Sequence, residues 1–213
     1  MLESRSNRAL GSALLILGLT AAVTALGSLL RPTWQPQAPA YRVRGPQDAK
    51  VVIAEFSDFE CPACAAAEPY IRKILDLYSG KVSLAFKHRA WDFHPYARLA
   101  ADAAECAGRS GKFWDYHDRL FAQQDKWANL PDAKAVRGYL LEQAAQMGMD
   151  KKAFDACLDD PKTDAPVAAD VKEAEKMWVE ATPTFVIGGR RFVGGDQLRT
   201  LGVNRIEDLL KRP

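Results

Sequence analysis

The chain lacks the compositional features that mark several protein classes. Its 213 residues include only four cysteines and three histidines, far too few for a disulfide-dense scaffold. Lys and Arg number 29 against 27 Asp and Glu, a net charge of +2, so no basic excess makes nucleic acid the expected partner. An apolar fraction of 48% and a charged fraction of 26% are typical of a folded domain and argue against disorder or a multi-span membrane protein. No metal, nucleotide or flavin motif predicts a cofactor.

The N-terminal region contains a long uncharged run, Ala9 to Leu30. As a helix it would be about 33 Å long, enough to cross a hydrocarbon core. Two arginines precede it, as in an export signal. A buried soluble helix is one alternative, and a cleaved signal peptide with Val23–Ala25 or Ala25–Gly27 as its cleavage site is another. The length favours an uncleaved transmembrane anchor over residues 9–30, with residues 1–8 in the cytoplasm.

Residues 31–48 carry four prolines. That composition predicts a stiff, extended linker rather than a packed element. The folded domain is therefore expected over residues 49–213.

The domain begins with a pattern of strand, helix and strand. Residues 51–56 and 82–86 are short apolar runs of the kind found in buried strands. Between them a helix is predicted as far as Gly80, with Pro62 in its first turn, where a missing N–H costs nothing. A unit of this length implies that the two strands pair in parallel.

Helical periodicity then fills the chain over about 90–179, and strands return only at 184–187 and 191–193. Gly188-Gly189 between these two strands suits a two-residue hairpin turn. The predicted fold class is α/β, a sheet covered by helices with an inserted helical domain.

The sequence Cys61-Pro62-Ala63-Cys64 lies between the first strand and the first helix. The Cys61 sulfur is therefore placed at a helix N-terminus, where unpaired N–H groups and the helix dipole favour a thiolate. Cys64 follows one turn later, more buried and close enough to form a disulfide. We expect Cys61 to form a mixed disulfide with a substrate and Cys64 to resolve it. Half of a zinc site and a purely structural disulfide are the alternatives.

Two further positions invite a functional interpretation. Glu55 is a carboxylate in the middle of an apolar strand, where burial is costly. It is either at a solvated sheet edge or an acid of raised pKa that exchanges a proton with Cys64. Thr182-Pro183 opens the third strand. Proline is tolerated at the first residue of any strand, so its presence here need not be functional. A cis bond there would leave the Thr182 backbone free to pair with a substrate chain.

At these residues the chain resembles the DsbA-type thiol:disulfide oxidoreductases, which have a thioredoxin fold with an inserted helical domain. The resemblance covers residues 51–193. It rests on Glu55, on the C-P-A-C motif, on the segment AAECAGRSGKFWDYHDRLF and on T-P-T-F before a hairpin.

The resemblance implies a role for each matching residue. Cys61 is the exposed nucleophile and Cys64 its buried partner, and Glu55 is the buried acid. Pro62 and Ala63 form the dipeptide that tunes the redox potential, and Thr182 precedes a cis-proline, Pro183, that faces the active site. The most oxidising members have His where this chain has Ala63, which implies a less extreme oxidant and leaves the redox direction open.

The remaining cysteines and the histidines receive structural interpretations. Cys106 and Cys157 fall on apolar helix faces of the insertion and are either two buried free thiols or, in an oxidising compartment, a structural disulfide. Some members of the resembled family have such a second bridge. His117 is expected to be a core histidine, and His88 and His94 to be structural or near the substrate groove.

The sequence thus predicts a cell-envelope enzyme that transfers a disulfide to cysteines of newly exported proteins. Its catalytic domain is expected outside the cytoplasm, tethered by the N-terminal helix. By resemblance, a membrane redox partner of the DsbB or VKOR type would reoxidise it. A disulfide isomerase or reductase of the same fold is an alternative, and a non-enzymatic copper or zinc carrier is an alternative of another class.

Overall fold

The computed structural model describes Trp34 and residues 36–212. The anchor predicted over residues 9–30 lies outside this range. Among the helices of the described range, none has both the length and the apolar character needed to cross a membrane.

Five strands form a single sheet in the order β1-β3-β2-β4-β5. Their bounds are β1 Val43–Arg44, β2 Val51–Ser57, β3 Val82–His88, β4 Thr184–Ile187 and β5 Arg190–Val193. Strands β2 and β3 are parallel, as predicted from the strand–helix–strand pattern, and the other neighbours are antiparallel. Gly188 and Gly189 form the β4–β5 turn with φ values of +53° and +75°, which glycine adopts without strain.

Nine α-helices surround this sheet within the described range, together with a 3₁₀ turn, Ala40–Arg42, and a π-helical turn, Leu198–Gly202. They are α1 Pro62–Leu77, α2 Ala97–Arg109, α3 Phe113–Ala122, α4 Gln124–Trp127, α5 Ala133–Gln146, α6 Lys151–Leu158, α7 Pro161–Lys176, α8 Gly194–Gln197 and α9 Val203–Lys211. Helices α2 to α7 lie between β3 and β4 and form the predicted insertion. The architecture is therefore a thioredoxin-like α/β fold with an inserted helical domain.

Two hydrophobic clusters hold these elements together. One packs α1 and α9 against the sheet, and its members include Val51, Ile53, Ile71, Leu84, Phe185 and Ile206. The other fills the insertion and extends to the paired cysteines, and its members include Phe59, Cys64, Phe86, Phe113, Trp127 and Leu140. The inserted helices are therefore packed directly against the C-P-A-C segment.

The predicted linker is shorter than residues 31–48, because part of that segment is packed into the domain. A 3₁₀ turn, Ala40–Arg42, leads into β1, which pairs with β3. The Arg42 side chain is only 2% exposed and binds Asp170 and Glu105. Buried charge pairs thus fix a segment whose proline content had predicted a spacer, and the boundary at Ala49 is wrong.

A disulfide joins two helices of the insertion. The sulfurs of Cys106 in α2 and Cys157 in α6 are 2.05 Å apart, and the two residues are separated by 51 positions in the sequence. Cys61 and Cys64 are free thiols. The four cysteines therefore form two separate pairs with different surroundings.

The outer strands of the sheet are short and polar. Strand β1 has two residues, and β5 has four, of which Arg190 and Arg191 are exposed. The Arg191 guanidinium donates hydrogen bonds to the carbonyls of Met177 and Trp178.

Candidate active site

The paired cysteines lie where β2 gives way to α1. Cys61 is the N-cap residue of α1 and Pro62 occupies the first helical turn, as predicted. The Cys61 carbonyl accepts hydrogen bonds from the N–H groups of Cys64 (3.0 Å) and Ala65 (3.3 Å). Cys61 is 8% exposed and Cys64 is fully buried. The two thiols are therefore neighbours with unequal access to solvent.

The surroundings of Cys61 favour its thiolate. Its pKa is lowered to about 5, chiefly by a hydrogen bond from the Cys64 thiol and further by the Thr182 side chain and the N–H groups of Cys64 and Ala63, against the effect of burial. The helix N-terminus thus contributes as predicted, but the second thiol contributes more.

The surroundings of Cys64 have the opposite effect. Burial raises its pKa well above the ordinary thiol value, and the adjacent Cys61 raises it further, while the Ser57 side chain lowers it. The Asp58 N–H group lies 3.5 Å from the Cys64 sulfur, and it also lowers this pKa. Cys64 is therefore a thiol that must lose its proton to react.

Thr182 and Pro183 lie against Cys61. The Thr182–Pro183 peptide bond is cis, and the Cys61 sulfur is 3.6 Å from the Thr182 carbonyl oxygen. The Trp91 indole N–H donates to the Thr182 hydroxyl oxygen at 3.1 Å. The Arg89 guanidinium lies 3.7 Å above the Trp91 ring, and Phe93 stacks on it at 5.3 Å.

Glu55 lies in the centre of the sheet, because β2 pairs with β3 through Phe86 and with β4 through Phe185 at this position. The solvated-edge interpretation is therefore wrong. Glu55 is fully buried, and neither carboxyl oxygen has a partner within hydrogen-bond distance. Burial raises its pKa well above the usual range, and the negative charge of Glu68 raises it further.

The insertion contacts the active-site segment through Gln124, which the sequence analysis missed. Its side-chain amide donates to the carbonyls of Phe59 (2.7 Å) and Cys61 (3.0 Å). Gln124 opens α4, the shortest helix of the insertion. One side chain thus holds the N-cap of α1 against the inserted domain. A glutamine in a polar helix start carries no sequence signal for this contact.

The three histidines are all engaged by carboxylates. His88 Nε2 lies 2.9 Å from Glu105, and His94 Nδ1 lies 2.8 Å from Asp58, which also accepts the Trp91 backbone N–H. His94 is therefore close to the active-site segment. His117 is fully buried among aromatic rings, as expected of a core histidine.

The fold and the geometry of the cysteine pair are those of the class that includes the DsbA-type thiol:disulfide oxidoreductases, to which this structure is similar. The structure is similar to that of oxidised BdbD from Bacillus subtilis, with 26% identity, a TM-score of 0.68, and coverage of 82% of this chain and 97% of that one. DsbA2 from Pseudomonas aeruginosa matches with 25% identity, a TM-score of 0.65 and the same coverage. The α-DsbA1 of Wolbachia pipientis, at 23% identity and a TM-score of 0.68, supports the fold.

The chain belongs to the thioredoxin family, whose family model, described as Thioredoxin, matches residues 37–203. Among curated proteins it is 40% identical over 160 residues to a protein named Na(+)/H(+) antiporter NhaA 3 from Salinispora tropica. The match covers 75% of this chain and 23% of that protein. The chain thus spans about a quarter of the length of these relatives.

Proposed function

We propose that this protein donates disulfides to exported proteins outside the cytoplasm, with Cys61 as the nucleophile and Cys64 as its buried partner. The observation that carries the proposal is the difference between the two thiols. One, 8% exposed, is a thiolate near neutral pH, and the other is fully buried and protonated. Disulfide exchange needs an accessible attacking sulfur with an adjacent sulfur that can displace its product.

In the proposed reaction, a substrate thiolate attacks the Cys61 sulfur of the oxidised enzyme. The bond between the Cys61 and Cys64 sulfurs breaks, a bond from Cys61 to the substrate sulfur forms, and Cys64 leaves as a thiolate that takes up a proton. A second substrate thiolate then attacks the substrate sulfur and releases Cys61 as a thiolate. Two electrons pass from the substrate to the enzyme, and one of the two substrate protons goes to solvent.

The low pKa of Cys61 supports the oxidising direction. Because this pKa is lower in the folded reduced protein than in an unfolded chain, the thiolate stabilises the reduced form above the ordinary thiol pKa. That contribution is lost as the pH falls through about 5. The oxidised form gains nothing from it, so the disulfide tends to accept electrons.

The reduction potential of the Cys61–Cys64 couple tests the direction. We expect a reduction potential towards that of a strong oxidant, near −120 mV. Because this chain has Ala63 in place of histidine, the potential is expected to be somewhat more negative than that value. A value near −270 mV, as in thioredoxin, would instead support the reductase or isomerase alternative.

Replacing Cys64 with serine is expected to trap the first intermediate. In this variant the Cys61 thiolate attacks a disulfide of an oxidised substrate, and one substrate sulfur leaves as a thiolate. Because no second enzyme sulfur remains to displace the substrate from Cys61, mixed disulfides accumulate. The adducts are measured on non-reducing gels and disappear on treatment with dithiothreitol. A variant that forms no more adducts than wild type would contradict the role assigned to Cys64.

Replacing Trp91 with phenylalanine is expected to raise the Cys61 pKa from about 5. The indole N–H holds the Thr182 hydroxyl oxygen and so leaves the hydroxyl hydrogen available to the Cys61 sulfur. A hydrogen bond to a charged group is worth about 1.5 kcal/mol, so its loss shifts the pKa by up to about one unit. The ultraviolet absorbance of the thiolate, followed against pH, measures the change.

The control for this variant is Phe93→Leu, which removes the stacking partner of Trp91 but keeps its N–H. We expect Phe93→Leu to leave the Cys61 pKa within a few tenths of a unit. Equal pKa values in wild type and Trp91→Phe would show that the indole does not act on Cys61 through Thr182.

The proposed location outside the cytoplasm is supported by the Cys106–Cys157 disulfide, since such bonds persist in oxidising compartments. In this proposal residues 9–30 anchor the protein in the membrane and a DsbB-type or VKOR-type partner reoxidises it. Labelling intact cells with a membrane-impermeant thiol reagent after mild reduction tests the orientation. Cys61 is expected to react without permeabilisation.

The metal-carrier alternative is distinguished by metal analysis of protein purified without chelator. Stoichiometric copper or zinc in the wild-type protein that is absent from the Cys61→Ser and Cys64→Ser variants would favour the carrier alternative. Within the described residues, no further His, Cys, Asp or Glu lies close enough to the Cys61–Cys64 pair to complete a three-ligand cluster.

A further inference from the structure

The proposed mechanism requires protons to reach and leave a buried group. Cys64 is fully buried, and so is Glu55, the acid expected to exchange a proton with it. The Ser57 side chain lowers the pKa of both groups, although its hydroxyl is beyond hydrogen-bond distance of any partner. A proton held at Glu55 therefore has no direct exit to solvent.

The charge of a second buried carboxyl group acts on Glu55. Glu68 projects from α1, is 3% exposed, and its Oε1 has no hydrogen-bond partner. Burial raises its pKa, while His117, Arg72 and Arg44 lower it. The charge of Glu68 in turn raises the Glu55 pKa, so the two carboxyl groups interact across the interface between β2 and α1.

His117 links Glu68 to the protein surface. Its Nε2 faces Glu68 Oε1 at 3.8 Å and has no hydrogen-bond partner, while its Nδ1 lies 2.8 Å from Asp118 Oδ1. Asp118 is 34% exposed and also binds Arg44 at 2.9 Å. Each ring nitrogen thus faces one carboxyl group, so the ring can accept a proton on one side and donate one on the other.

We propose that Glu68, His117 and Asp118 form a proton route that connects buried Glu55 with solvent beneath the active site. The inference rests on the proposed function, because the route carries the proton that Cys64 exchanges in the proposed reaction. When Cys64 leaves as a thiolate, it takes a proton from Glu55. Glu55 is then reprotonated through Glu68 and His117 from solvent at Asp118. During reoxidation the same groups pass one proton outward.

This arrangement explains why a histidine occupies an aromatic core. The His117 ring is surrounded by Phe59, Phe86, Phe113 and Phe121 at centroid distances of 4.9–6.0 Å. A phenylalanine would pack equally well there. A histidine adds two nitrogens, and those nitrogens face the two carboxyl groups.

The test is the substitution His117→Phe in the full chain, which keeps the ring and removes the nitrogens. Because a route carries protons in both directions, reduction and reoxidation are expected to slow by the same factor, on the order of tenfold. The solvent deuterium isotope effect on both rates is expected to rise. The reduction potential and the Cys61 pKa are expected to stay unchanged. Glu68→Gln is a second variant that breaks the route at another point and should slow the same rates.

The matched control is Phe121→Leu, which perturbs the same aromatic cluster but leaves both nitrogens in place. Its rates are expected to stay within twofold of wild type. Rates of His117→Phe and Glu68→Gln within twofold of wild type would overturn the route. The route would also be overturned if His117→Phe changed the reduction potential enough to account for its slower rate. The change in potential would then explain the rate without proton transfer through His117.

Failure of the route and failure of the proposed function are distinguishable. If exchange in wild type depends on Cys61 but the His117 and Glu68 variants react normally, only the route is wrong. If exchange persists without Cys61, the proposed function itself is wrong.

Discussion

Replacing Cys61 with serine is expected to abolish disulfide exchange, reducing it to the level of a buffer control. A serine hydroxyl is not ionised near neutral pH and cannot form a disulfide, so neither the attack nor the mixed disulfide remains possible. The substitution changes one atom at a position that is 8% exposed, so the fold is expected to be retained. Oxidation of a reduced model substrate, followed by the recovery of its activity, measures the loss.

The double variant Cys106→Ala/Cys157→Ala is the control for that experiment. It removes two sulfurs from the insertion and leaves the active-site pair intact, so its exchange activity should persist at temperatures where it stays folded. Appreciable exchange by Cys61→Ser would mean that another group is the nucleophile.

Replacing Asp170 with alanine is expected to be the most damaging single change to stability. The Asp170 carboxylate is almost fully buried and binds the Arg42 and Lys87 side chains and the His88 N–H group. Its removal leaves two cations in the interior with incomplete partners. Breaking a buried ion pair in this way costs about 3–5 kcal/mol, a large part of a typical stability of about 5–15 kcal/mol.

Equilibrium denaturation in urea measures this cost as a lower midpoint at constant slope. The matched control is Asp159→Ala, because Asp159 is 70% exposed and pairs with Arg137 at the surface. Such a pair contributes about 1 kcal/mol or less. Equal midpoints for the two variants would show that the buried network does not stabilise the fold.

The sequence predicted the parts of the fold that depend on local signals. Apolar runs marked β2 and β3, Pro62 marked the start of α1, and Gly188-Gly189 marked the hairpin. It failed for residues 40–44, because what fixes that segment is not local. Arg42 binds Asp170, which lies 128 positions further along the chain, and nothing in the prolines around Arg42 indicates that contact.

The same distinction applies to the candidate site. Cys61 and Cys64 are separated by two residues in the sequence, so their motif was readable. Trp91 is brought to the site by the loop after β3 and Gln124 by the insertion. An aromatic residue in a loop or an amide residue at a helix start has many ordinary explanations. The relation of His117 to Glu68 depends on how α3 packs on α1, which periodicity does not specify.

The outer strands have a consequence for the proposed exchange of disulfides with other polypeptides. Exposed, flat strand margins invite other polypeptides to add on through main-chain hydrogen bonds, the first step of many aggregates. Here one margin is only two residues long and the other presents Arg190 and Arg191. In the proposed function, a substrate polypeptide is thereby less able to add a strand to either edge of the sheet, which favours contact through its cysteine.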